Sequence, residues 1–125
     1  MLTLWVNMFI EVISMEIIFP KDNDPDDWNE TKRLVRRHNI PRAKLIRRRL
    51  DDLKAAPCLE VMRRLPGRCH ELKGDHAGEL SLDLDGPYRL LFRPAQEPAP
   101  VRPDGGLDWS RVIAIILVGV EDTHD

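Results

Sequence analysis

The hydrophobic pattern changes period along the chain, and each change predicts an element. Met15-Glu16-Ile17-Ile18-Phe19 is a short apolar run stopped by Pro20, the pattern of a strand. The apolar positions then open to helical spacing. Asp24 suits an N-cap and Pro25 the first helical position, so a helix is predicted to about His38. Trp28, Thr31, Leu34 and Val35 would form its buried stripe. Asn39 and Pro41 restart a second helix from about Arg42 to Ala55. Leu45 or Ile46, Leu50 and Leu53 face inward; Arg42, Lys44, Arg47, Arg48, Arg49, Asp51, Asp52 and Lys54 face outward. Pro57 ends this helix. Leu59, Val61, Met62 and Leu65 make a short helical turn before Pro66-Gly67.

The period then shortens to two. Leu80, Leu82 and Leu84 alternate with Ser81, Asp83 and Asp85, and Tyr88 to Phe92 forms the return strand. Side-chain parity fixes the register. A three-residue loop, Asp85-Gly86-Pro87, pairs Leu84 with Tyr88, Leu82 with Leu90 and Leu80 with Phe92, all on one core face. A two-residue loop would turn Arg89 into the leucines. Arg89 therefore belongs on the outer face, opposite Asp83.

Pro94 to Asp108 follows, rich in proline, glycine and charge. It reads as a mobile loop too polar for the core. Val112 to Val120 is apolar on both faces, as in a central strand. Met1 to Phe19 has no basic n-region and no small-residue cleavage site, and Glu11 and Glu16 interrupt it. We expect neither a signal peptide nor a membrane span. Met15 could serve as the start, leaving 1–14 as an N-terminal extension; alternatively Leu2 to Ile13 forms an extra element over apolar surface. Residues 15–125 are expected to be one domain.

Composition narrows the class. The chain has 125 residues, 42% hydrophobic and 32% charged, which fits a globular domain with a modest core. The formal net charge of -2 does not by itself select a nucleic-acid partner. Cys58 and Cys69 lack metal-ligand or CxxC spacing and read as free thiols in a cytoplasmic protein, with Cys69 a packing residue. Neither a metal site nor a cofactor is expected. Chemistry is concentrated between Leu65 and Phe92, where a loop with His70, Glu71, Lys73, Asp75 and His76 precedes the hairpin that fixes Arg89. His76 reads as a surface residue of that loop.

The run LPGRCHELKGDHAGELSLDLDGPYRLLF, then a buried strand, then Glu121-Asp122-Thr123-His124, resembles the RelE/ParE superfamily of toxin–antitoxin toxins. Within it, the run looks most like the HigB-like or plasmid-maintenance killer branch. Its pattern is a His-x-x-Lys-Gly-Asp loop, a strand, a turn, an aromatic-Arg-aliphatic strand and a C-terminal Asp-Tyr-His. The resemblance implies an α+β fold, with an N-terminal helical hairpin on a small twisted antiparallel sheet in the order β-α-α-β-β-β. It also implies a toxin that cuts mRNA without a metal, on the ribosome in many members, and is neutralised by a helix-turn-helix, HigA-like antitoxin.

By motif position, His70, Lys73, Arg89, Asp122 and His124 match the family's site. Lys73 and Arg89 would hold RNA phosphate, and Arg47 and Arg48 on the second helix are secondary RNA-binding candidates. Cleavage of this kind needs a base for the ribose 2′-OH, a cation for the charge that builds on phosphate, and an acid for the leaving 5′-oxygen. His70 and His124 have the right ordinary pKa range for acid or base. Arg89 can fork two phosphate oxygens, or it can simply pair with Asp83 across the hairpin. The chain also departs from the pattern. Thr123 stands where tyrosine is usual, and Asp83 and Asp85 stand where many members carry a basic residue. The net charge is acidic, whereas ribosome-dependent members tend to be basic. That charge and the Thr123 departure suit two other readings: a ParE-like gyrase poison that cuts no RNA, or a member acting through complex formation and regulation.

Overall fold

The structure, a computed structural model, describes residues 14–21 and 25–122. The expected N-cap Asp24, the segment before Ser14, and Thr123 and His124 lie outside the described residues. The elements are β1 (Glu16–Ile18), α1 (Asp26–Asn29), α2 (Thr31–Arg37), α3 (Ile40–Ala55), β2 (His70–Glu71), β3 (Leu80–Asp83), β4 (Tyr88–Pro94) and β5 (Ala114–Asp122). A 3-10 turn at Leu59–Arg64 links the helical layer to β2. The sheet order is β1-β5-β4-β3-β2, with the helices on one face.

The first predicted helix is broken in two. Glu30 is extended between α1 and α2. Trp28 and Leu34, both buried, explain the break. Six residues apart, they would sit about 120° apart around one straight helix. The extended residue resets the phase so that both face the core. Thr31 is exposed and Val35 only half-buried, so Trp28 and Leu34 carry the stripe. At the start of α3, the Asn39 side chain accepts from the Arg42 N–H at 2.8 Å, and Pro41 sits in the first turn.

Ile46, Leu50 and Leu53 on α3 are fully buried against Leu80, Leu82, Leu90 and Phe92 of the hairpin. Each such side chain stabilises the fold by about 1.5–3 kcal/mol relative to exposure. The pairing Leu80–Phe92, Leu82–Leu90, Asp83–Arg89 matches the register argued from parity. Leu84 and Tyr88 close the hairpin, the Leu84 N–H donating to the Tyr88 carbonyl at 3.0 Å.

Arg49 departs from the expected solvent-facing position. It is 7% exposed, and its Nε donates to the Asp83 carbonyl at 2.9 Å. It lies on the same stripe as Ile46 and Leu53, so the helix buries its stem while the hairpin backbone receives its head. Gly67 makes room for it. A Cβ there would lie 2.8 Å from Arg49 Nε, and the glycine φ of +113° is one that other residues rarely adopt.

Three further features were not legible in the pattern. The two-residue β2 extends the sheet beside β3. β1 pairs parallel with β5, while all other pairs are antiparallel; the helical layer is the crossover that parallel pairing requires. The segment after β4 is tied down: Pro100 is buried, and Val101 bridges Leu107. β5 lies inside the sheet, but only Ile115 and Leu117 are fully covered. Ala114, Ile116 and Val118 on the other face are half-buried, because the helices pack on one face alone.

Candidate active site

The face away from the helices carries the polar parity of the hairpin. Directly opposed residues on antiparallel strands point to the same side. Thus His70 stands beside Ser81, Asp83 beside Arg89, and Arg89 beside Glu121. The loop from Leu72 to Glu79 closes over this face. The Leu72 N–H donates to the Glu79 carbonyl at 2.9 Å, and a 3-10 turn at Gly74–His76 fills the span. Arg68, His70, Leu72, Lys73, His76, Ser81 and Arg89 line a cleft of about 260 Å³.

Three basic side chains line it and, among the described residues, no carboxylate does, in a chain whose net charge is -2. A larger depression of about 440 Å³ has the opposite character. Glu71, Glu79, Glu97 and Arg93 line it, and neither Lys73 nor Arg89 reaches it. The smaller cleft is therefore the better match to a phosphate-bearing ligand, because charge and hydrogen-bond donors, not volume, select an anion.

The arginines are anchored from behind the wall. Asp83 forms an ion pair with Arg89, its Oδ1 2.9 Å from Arg89 Nε, and accepts a hydrogen bond from Arg68 Nε at 3.0 Å. Arg89 Nη1 donates to the Gly86 and Tyr88 carbonyls, each at 3.0 Å. These bonds hold Arg89 in place but use Nε and Nη1. The expected fork onto two phosphate oxygens and the cross-hairpin ion pair thus compete for one guanidinium, and in this structure the ion pair is made. Arg68 was not among the sequence candidates. Its backbone φ of +50° follows Gly67, so the Pro66-Gly67 turn is what swings it to the cleft.

The two histidines are held differently. His70 Nδ1 lies 2.8 Å from the Arg68 carbonyl. A carbonyl only accepts, so Nδ1 carries the proton and the neutral ring keeps its lone pair on Nε2. Nε2 is 3.5 Å from Ser81 Oγ, a buried hydroxyl on the cleft floor. His76 Nδ1 donates to Glu79 at 2.9 Å. This hydrogen bond, reinforced by the charges of Glu79, Glu121 and Asp75, holds the His76 pKa above the ordinary 6.5. His76 was expected to be a bystander on the loop surface; it forms part of the cleft wall.

Of the residues picked out in the sequence, the structure brings His70, Lys73 and Arg89 together. Asp122 is placed elsewhere. It opposes Tyr88, so its side chain leaves the sheet on the helix side, and Glu121 is the acid on Arg89's face. Arg47 and Arg48 belong to α3, across the sheet from the cleft. Arg47 is occupied with Asp51 at 3.1 Å and the Trp28 carbonyl at 2.9 Å, while Arg48 borders a shallow groove with Thr31 and Lys44. Cys69 is a packing residue, its thiol pushed up to about 12 by burial, which leaves no thiolate for chemistry. Among the described residues, no three His, Cys, Asp or Glu side chains cluster to hold a metal ion, and no helix is long and apolar enough to cross a membrane.

No family model and no curated protein matches the sequence. Solved structures match by fold. A YoeB/ParE toxin from Agrobacterium tumefaciens aligns with a TM-score of 0.51 at 15% identity, over 88% of this chain and 100% of the other. A YoeB–YefM complex from Staphylococcus aureus gives 0.47 at 17% identity, over 88% and 98% of the two chains. A YoeB dimer from the same organism gives 0.48 at 16%, over 89% and 99%. The first alignment establishes the fold: helices packed on one face of a five-stranded sheet, as in the YoeB/ParE toxin.

Proposed function

We propose that this chain is the toxin of a type II toxin–antitoxin module, of the HigB-like branch, and that it cleaves mRNA in the cleft of His70, Lys73 and Arg89. One observation carries the reading: a cationic cleft with two histidines on a chain of net negative charge, in a fold shared with a YoeB/ParE toxin. His70 Nε2 takes the proton of a ribose 2′-OH. The freed oxygen attacks the adjacent phosphorus, and the bond to the 5′-oxygen breaks. The products are a 2′,3′-cyclic phosphate and a 5′-hydroxyl. Lys73 and the anchored Arg89 and Arg68 stabilise the added negative charge. The resemblance offers the tail position His124 as the candidate acid for the leaving oxygen, with Asp122 beside it in the motif, although Asp122 itself opposes Tyr88 on the helix side. A helix-turn-helix antitoxin is the expected partner, and ribosome-bound mRNA the expected substrate.

The test is induction of the full chain without its antitoxin, with RNA ends mapped before growth stops. Fragments ending in cyclic phosphate support the reading. Growth arrest with intact RNA would overturn it and favour the gyrase-poison reading. That second reading has one observation on its side: Asp83 already neutralises the arginine most suited to grip a scissile phosphate.

A further inference from the structure

We infer that the cleft holds its own acid–base pair, with His70 the base and His76 the acid that protonates the leaving 5′-oxygen. The inference rests on the nuclease reading and gives one of its roles to a residue outside the family's motif.

Both imidazoles line the same cleft of about 260 Å³, and each is fixed through Nδ1 by a different kind of acceptor. His70 leans on a neutral main-chain carbonyl, which sets its tautomer and leaves Nε2 as a proton acceptor. His76 leans on the Glu79 carboxylate, which stabilises the imidazolium and leaves Nε2–H as a proton donor. Two titratable groups in unlike surroundings are what an acid–base division of labour requires. The charges around His76 agree with this. Glu79, Asp75 and Glu121 favour its protonated form, and together they keep its pKa raised although Arg68, Lys73 and Arg89 line the same cleft. With 38% of its side chain exposed, His76 can reach a bound substrate.

The proton count closes. His70 Nε2 gains the 2′-OH proton as the oxygen–phosphorus bond forms. His76 Nε2 gives its proton to the 5′-oxygen as that bond to phosphorus breaks. Solvent restores both rings after the products leave. Glu79 touches no reacting atom and acts as a positioning residue.

The experiment compares the wild-type full chain with His76→Gln, Glu79→Gln, His70→Gln and His124→Gln. Each acts on free and ribosome-bound RNA and on the same RNA with a bridging 5′-sulfur at the cleaved phosphate. Sulfur leaves without a proton, so only a general acid becomes dispensable. His76→Gln should lose about a hundredfold or more on ordinary RNA and recover to within about threefold of wild type on the sulfur substrate. His70→Gln should lose on both. The activity of the wild type should fall as the pH rises through the His76 pKa. Glu79→Gln should bring that fall to lower pH, and His76→Gln should abolish it. Equal losses on both substrates for His76→Gln would overturn the inference and leave a structural role. So would a wild-type rate for His76→Gln, or sulfur rescue of His124→Gln in its place. A wild type that cuts neither RNA overturns the nuclease reading itself, and this inference with it.

Discussion

Leu80, Leu82 and Leu90 are fully buried under α3, whereas Ser81, Asp83 and Arg89, each one residue away, belong to the cleft face. The two faces obey different physics. On the helix face, apolar area removed from water does the stabilising, and shape matters more than charge. On the cleft face, Ser81 is just as buried, yet its neighbours are a histidine and cations, and position is set by hydrogen bonds to main-chain carbonyls. A period of two thus separates an apolar, close-packed face from a polar, cationic one on the same two strands. One residue of register slip would exchange them, turning Arg89 into the leucines.

The sharpest way to break this contrast is on the helix face. Leu82→Ala should lower stability by about 2–5 kcal/mol, since its neighbours Leu50, Leu90 and the space beside Gly67 cannot all collapse into the void. Chemical denaturation of the purified chain measures it. A loss under about 1 kcal/mol would mean that the face tolerates voids and is not the close-packed core described here. The complementary change is Arg89→Ala, which in the proposed reaction removes a cation that stabilises the charge building on phosphate. RNA cleavage should fall by about two to three decades while the denaturation midpoint moves far less than for Leu82→Ala. If unfolding and activity fall together, Arg89 serves the hairpin through Asp83 rather than the reaction.

How far these faces were legible depends on the range of the interaction that sets them. The hairpin register followed from parity and loop length, both local, and the pairing Leu82–Leu90 agrees. His70, Lys73 and Arg89 meet because that hairpin and its entry loop are contiguous in sequence. The break at Glu30, the burial of Arg49 and the parallel pairing of β1 all depend on what packs across the molecule, which periodicity does not carry. Asp122 failed to join the others for a related reason. The register shift between Leu91 and Phe92 resets the parity of β5, and nothing in Val112 to Val120 announces it. Arg68 and His76 have visible signals, the Pro66-Gly67 turn and a second histidine six residues after His70, but a turn and a loop histidine carry no address for the face they will reach.

The smallest effect lies where the two faces meet. By alternation Asp85 continues the cleft-face series Ser81, Asp83, yet the turn carries it to the helical layer. There it accepts from Arg42 Nε at 2.8 Å and Nη2 at 3.0 Å, and the Arg42 guanidinium stacks 3.5 Å from the Tyr88 ring centroid. The pair joins the start of α3 to the tip of the hairpin. Asp85 is 30% exposed and Arg42 15%, so solvent screens the interaction, and Asp85→Asn should lower stability by only about 1 kcal/mol at neutral pH. Its pH dependence is the stronger test. The Arg42 hydrogen bond holds the Asp85 pKa below the ordinary 3.8, so the unfolded chain takes up the proton first on acidification. The contribution is therefore complete above 3.8 and is lost as the pH falls through the folded-state value. Thermal melts of wild type and Asp85→Asn should differ at neutral pH and converge in acid, while RNA cleavage by the variant stays near wild type because Asp85 does not line the cleft. A stability difference that persists unchanged into acid would show that packing of the turn, not the carboxylate, joins the two layers.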